Sequence, residues 1–173
     1  MVAGAIASMA AIIAGQRLGE LLLAQSNRRR ALACGAREYG ANHYRLFFIL
    51  HGSWLAGWVL EGQAAGALSA VWPVWLSLFA GAQLLRYWCI ISLGRCWNTR
   101  ILVIPGQPYS RRGPYRYFRH PNYLAVAIEL AAVPLLFGAV WTAAAATLCN
   151  AALLLFIRIP AEERALNHME NPR

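Results

Sequence analysis

The feature that most restricts this chain is the length of its apolar runs. Five of them, at residues 2–24, 46–60, 68–93, 123–137 and 141–157, carry few interruptions by charge. A soluble core collects its apolar side chains from short amphipathic stretches, whereas a run near 20 residues matches about 30 Å of hydrocarbon. With 59% hydrophobic and 13% charged residues the sequence is too apolar for a soluble domain, and disorder is excluded. The expected fold class is all-α, a single polytopic membrane domain over residues 1–173 with about five transmembrane helices. The second run is short. The last two, joined by a turn at Gly138, are near the lower limit for a bilayer and are expected to form a tilted or partly re-entrant hairpin. The first run lacks a basic leader and a small-residue cleavage site ahead of Arg17 and Glu20, so it reads as a retained span.

Charge supplies the orientation. Sixteen Arg face seven Glu, with no Lys and no Asp, for a net charge of +9. The Arg lie in the loop after the first span (Arg28, Arg29, Arg30, Arg37, Arg45), in the long loop at 94–119 (Arg95, Arg100, Arg111, Arg112, Arg116, Arg119) and in the tail, while the connections near Gly62 and Gly138 have none. Basic loops stay in the cytoplasm, which places the N-terminus outside and the C-terminus inside. Any chemistry is then expected at the cytoplasmic face of a bacterial cytoplasmic membrane, where segments 94–123 and 158–170 meet. Arginine beside apolar spans favours membrane lipid and anionic ligands over nucleic acid, for which no module is present.

Several classes of site are absent from the sequence. The cysteines Cys34, Cys89, Cys96 and Cys149 form no CxxC pair, and the histidines form no HxxxH, so no metal centre is expected. There is no GxGxxG and no GxxxxGK[ST], which excludes a Rossmann domain or a P-loop. What remains is Gly113-Pro114-Tyr115-Arg116-Tyr117-Phe118-Arg119-His120-Pro121-Asn122-Tyr123, directly before an apolar run. Pro121 suits the first position of a helix, which puts His120 at the cap and Tyr123 one turn on, beside free N–H groups able to receive a carboxylate. An aromatic belt with snorkelling cations accounts for one Tyr and one Arg there, but not for the whole block.

A second element follows the last run: Arg158-Ile159-Pro160-Ala161-Glu162-Glu163-Arg164. Arg158 and Glu162 share a face if the helix continues through Pro160, and if Pro160 starts a new helix the two Glu fall in its first turn. In isolation this is an amphipathic tail helix; coupled to the RHPxY segment on the same side it becomes half of a site.

At these residues the sequence resembles the isoprenylcysteine carboxyl methyltransferase family of integral membrane enzymes, which use S-adenosylmethionine. The likeness runs through 83–95, ending in Leu93-Gly94, then through the Gly113-to-Tyr123 and Arg158-to-Leu166 blocks. The N-terminal part, with Arg17, Glu20, Asn27, Gly35, Glu38 and His43, looks like the short bacterial members, often similar to enzymes that methylate lipid-like polyketides such as alkylpyrones or alkylresorcinols. The resemblance implies cofactor contacts at Gln107, Pro108, Tyr109, Ser110, Tyr115, His120, Pro121, Asn122, Tyr123 and Glu162, with Arg158 on the substrate side. It implies methyl transfer to an oxygen of a lipophilic small molecule, a carboxylate, phenol or enol. Gln83 and Arg86 are expected to face inward behind the site, and Arg17 and Glu20 to neutralise each other. The competing readings are a membrane reductase using a nicotinamide cofactor and a non-enzymatic membrane protein.

Overall fold

The computed structural model describes residues 2–106 and 112–170, with side chains to Ala165. Six α-helices follow one another: α1 (Val2–Ala33), α2 (Tyr44–Ala65), α3 (Trp72–Leu93), α4 (Pro121–Leu136), α5 (Val140–Leu153) and α6 (Ile159–Glu170). The fold is helical as expected, with one addition. Two three-residue strands, β1 (Arg37–Tyr39) and β2 (Ile101–Val103), pair antiparallel with Glu38 opposite Leu102 and join the first and the long basic loops.

Helix ends differ from the apolar runs in ways the local chemistry explains. α1 continues through Arg28, Arg29 and Arg30, because arginine is a good helix former and its charge near a C-terminus suits the dipole. α2, expected to be short, has 22 residues, about 33 Å, and stops where Gly66 turns left-handed and its N–H reaches the Gly62 carbonyl. Glu61 near the end of α2 serves α5: its carboxylate accepts from the Trp141 and Thr142 backbone N–H groups at 2.9 and 2.8 Å, capping that helix from a neighbour. Within α4, Pro134 cannot donate to the Leu130 carbonyl, and the Trp54 indole supplies the missing hydrogen at 3.0 Å.

The core lies between α1, α2 and α4, where Ile6, Ile13, Trp54, Trp58, Leu130 and Val133 are buried and Trp58 stacks on Phe137 at 5.3 Å. Elsewhere the usual distribution is inverted. Trp141, Phe156 and Ile91 are 80%, 79% and 77% exposed, whereas Glu20, Arg86, Glu129 and Arg158 are buried. That pattern suits a chain whose solvent is lipid. Three helical stretches are long and apolar enough to cross a membrane: Val2–Ala33, Trp72–Cys96 and Val140–Ala165. α4, at 16 residues, is shorter, about 24 Å.

Candidate active site

The tail motif is positioned by an irregularity. Between α5 and α6 the chain forms a π-turn over Leu154–Arg158, in which the Ile159 N–H reaches back five residues to the Leu154 carbonyl. Pro160 is the local cause: lacking an N–H, it cannot serve the Phe156 carbonyl in a regular α-turn. The widened turn leaves Leu155 and Phe156 outside and buries Arg158. Of the alternatives posed by the sequence the first holds, since the helix continues through Pro160, and of the two Glu only Glu162 falls in the first turn of α6.

Downstream, Ala161 and Ala165, one turn apart, lie against Ile101 and Val103 of the ribbon, with Ala165 fully buried. Small side chains let the helix and ribbon approach closely. The ribbon thus supports the helix that carries Glu162. It is itself pinned by Glu38, which takes Arg28 at 2.9 Å and also pairs with Arg100, whose guanidinium lies 4.2 Å over the Tyr44 ring. Burial opposes ionisation of Glu38, but hydrogen bonds from Arg100 and Arg28 outweigh it and hold the carboxyl below its ordinary value.

The RHPxY block reaches the same place from the other side. α4 starts at Pro121 with His120 as its cap residue, as the sequence predicts, and the Tyr123 N–H returns to the His120 carbonyl at 3.1 Å. The preceding Gly113-to-Arg116 turn lies flat on α3. Gly113 has φ +56, and a Cβ there would fall 1.9 Å from the Ser92 hydroxyl oxygen, so only glycine fits.

Tyr123 joins the two motifs. Its hydroxyl donates to Glu162 Oε2 at 2.5 Å and accepts from Arg158 Nε at 3.1 Å. His120 stacks on the Tyr123 ring, with centroids 5.2 Å apart and planes 13° from parallel, and its Nδ1 is 3.9 Å from Glu162 Oε2. Arg158 Nη2 donates to the Thr99 carbonyl at 3.0 Å, and the guanidinium carbon stands 5.9 Å from the Phe47 ring centroid. Arg158 and Glu162 are therefore bridged by a phenol rather than paired with each other.

His120, Tyr123, Glu162 and Arg158 come together in this way. Pro121 is buried at the start of α4, and beside it the Asn122 Oδ1 is shut off from solvent with no partner among the described residues. Tyr115 turns onto α3 and hydrogen-bonds with Cys89. Gln107, Pro108, Tyr109 and Ser110 lie outside the described residues. Sequence reasoning missed Thr99, Tyr44 and Phe47, which hold Arg158 or its support. The signal for Phe47 was present in the four-residue spacing of His43, Phe47 and His51, one face of a helix. The His43 ring meets Phe47 edge-on at 6.4 Å; burial pushes its pKa down and the Arg158 cation acts in the same direction, so the ring is neutral at pH 7.

Comparison with known proteins supplies the family. Residues 75–168, which contain Arg86, the RHPxY block and the tail motif, match the isoprenylcysteine carboxyl methyltransferase (ICMT) family. The uncharacterized protein YpbQ of Bacillus subtilis (strain 168) is 36% identical over 159 residues, covering 90% of this chain and 93% of its own. An uncharacterized protein of Haemophilus influenzae is 27% identical over 161 residues, covering 92% and 93%. No solved structure matches. On the family match and the relative sharing more than a third of its residues, the chain belongs to the isoprenylcysteine carboxyl methyltransferase family, and is an integral membrane protein of methyltransferase descent.

Proposed function

We propose that the protein is an S-adenosylmethionine-dependent O-methyltransferase that acts on a lipophilic small molecule at the cytoplasmic face of the membrane. The observation that carries this reading is the Tyr123 hydroxyl, which binds a carboxylate from one motif and a guanidinium from the other. The residues present fit the cofactor. Asn122 Oδ1 is an orphaned buried acceptor at a helix start, the stacked His120 and Tyr123 rings offer an aromatic face to a sulfonium, and Glu162 has a second carboxylate oxygen for hydroxyl donors. When bound, the cofactor supplies an electrophilic methyl group on a positively charged sulfur.

The chain's own part is alignment. Arg158 uses Nε on the Tyr123 hydroxyl and Nη2 on the Thr99 carbonyl, and in this reading the rest of the guanidinium offers its charged N–H donors to the acceptor oxygen. The Thr99 carbonyl and the Phe47 ring fix the plane of the guanidinium, so that oxygen is presented in one orientation. Little acid–base chemistry is required when the acceptor is already ionised, and Arg158 favours the ionised form. In this reading segments 94–123 and 158–170 of a single domain form the cofactor-binding face.

The test is transfer of labelled methyl from S-adenosylmethionine into lipid extract by the purified protein in nanodiscs, followed by mass spectrometry of the product. Product methylated on oxygen is expected. S-Adenosylhomocysteine should bind and NADPH should not; NADPH binding without S-adenosylhomocysteine binding would overturn the proposal in favour of a reductase.

A further inference from the structure

Helices α1, α3 and α4 converge on four charged side chains that the methyl-transfer reading leaves unused. Glu20 receives Arg17 at 2.8 Å and Arg86 through two bonds of 2.6 and 2.5 Å, while the other arm of Arg17 pairs with Glu129. Arg17 and Glu20 thus do more than neutralise each other: they link three helices. Gln16 extends the network, donating to Glu20 at 3.0 Å and to Gln83 at 2.6 Å. Glu129 lies six residues further along α4 than Tyr123, about 9 Å deeper toward the middle of the span.

A clasp between helices explains the ion pairs but not the atoms left over. Glu129 Oε1, Arg17 Nε, Arg86 Nη1 and Gln83 Nε2 are each closed off from solvent and have no hydrogen-bond partner among the described residues. Glu129 and Arg86 are 1% and 5% exposed. A network shaped only for stability would close these positions, because an unmet polar group inside a span has no water to turn to. The unmet set is one acceptor and three donors, and a hydroxyl, which gives one hydrogen and can take two, would meet the acceptor and two of the donors. Two Arg and two Glu already balance, so a further full charge of either sign would be unfavourable there.

We propose that the Arg17–Glu20–Arg86–Glu129 quartet, with Gln83, is a binding site for a neutral hydroxyl of a lipophilic molecule entering from the bilayer. One helix face, that of Phe47 and His51 on α2, runs from the site above toward the quartet. Phe47, under Arg158, is followed one turn deeper by His51, whose Nδ1 is 2.7 Å from the Phe47 carbonyl oxygen and whose ring lies within the electrostatic reach of Arg17, Glu129 and Arg86. That this molecule is the methyl acceptor rests on the function proposed above; the hydroxyl site itself does not.

The experiment uses the full chain in nanodiscs without cofactor, loaded separately with 1-dodecanol, dodecyl methyl ether and tridecane, and reads the retained fraction by mass spectrometry. Dodecanol should be retained at least tenfold over both others, since the ether has no hydrogen for Glu129 Oε1. Gln83→Leu, which leaves every ion pair intact, should reduce the preference to within twofold, as should Glu129→Gln where that variant folds. Equal retention of the three probes by the parent protein, the result for a quartet holding only water, would overturn the site, as would an unchanged preference in Gln83→Leu. A parallel S-adenosylhomocysteine titration separates the two readings. Cofactor binding without alcohol preference sinks the hydroxyl site alone, whereas alcohol preference without cofactor binding sinks the methyltransferase and leaves the site standing.

Discussion

At the scale of single residues the informative atom is the Tyr123 hydroxyl oxygen, because it takes part in both charged contacts at once. Hydrogen bonds to charged groups contribute about 1.5–3 kcal/mol, roughly ten- to hundredfold in an equilibrium or a rate. Under the proposed function, which assigns this carboxylate to the cofactor, Glu162→Gln is expected to raise the S-adenosylmethionine requirement within that range. Arg158→Lys should instead lower single-turnover methylation with S-adenosylhomocysteine affinity nearly intact, because an ammonium cannot hold Tyr123, Thr99 and an acceptor oxygen in one plane. Tyr123→Phe should show both defects, and combining it with Glu162→Gln should cost less than the sum, as for residues in one network. Titration of S-adenosylhomocysteine beside single-turnover rates separates these outcomes; identical profiles for Glu162→Gln and Arg158→Lys would return both residues to a structural role.

Among the elements, the π-turn and the ribbon matter most to the site, and they are also the parts least legible in the sequence. The start of α4 could be read because Pro121 and the apolar run after it state the helix boundary directly. Arg158 and Glu162 could be named from their spacing. Nothing in Leu154-Leu155-Phe156-Ile157 announces a widened turn, since the cause sits downstream at Pro160. Strands of three residues have no period to detect, and the pairing of Glu38 with Leu102 joins positions far apart in the chain. Pro160→Ala tests the first point. By restoring a donor for the Phe156 carbonyl it should close the π-turn, rotate Arg158 out of reach of Tyr123 and lower turnover at least tenfold, while the unfolding temperature holds or rises.

The ribbon gives a pH dependence of definite sign. Glu38 has its carboxyl held below the ordinary value in the folded protein, so its stabilising contribution is complete at neutral pH and is lost as pH falls through that lowered value. Glu38→Gln removes the ion pairs at every pH. The unfolding temperatures of parent and variant should therefore differ most near pH 7 and converge in acid below the carboxylate range. A gap that stays constant down to pH 3 would mean that Glu38 does not anchor the ribbon through its charge.

For the molecule as a whole, the decisive relation is between charge and depth. Arginines cluster in the last turns of α1 and in the loop after α3, whereas the turns at Gly66 and Gly138 carry no charge, and the site forms where the charged connections meet the tail. If α1 to α5 each cross the bilayer, the N-terminus is outside and the loops bearing Glu38, Thr99 and His120 share the cytoplasmic side with α6. The alternative follows from length. α4 is only about 24 Å, so α4 and α5 could instead enter and return as a hairpin without crossing. That arrangement leaves the tail and the long loop together, but it moves the Gly138 turn from the outer surface into the bilayer. Single cysteines at Asn167 and at Gly138, in a chain whose four native cysteines are replaced by alanine, decide between the two. With an impermeant thiol reagent added to intact cells, full crossing predicts labelling at 138 and none at 167 until the cells are opened. Protection at both positions identifies the hairpin, and labelling at 167 in intact cells overturns the orientation itself, with the cytoplasmic placement of the site.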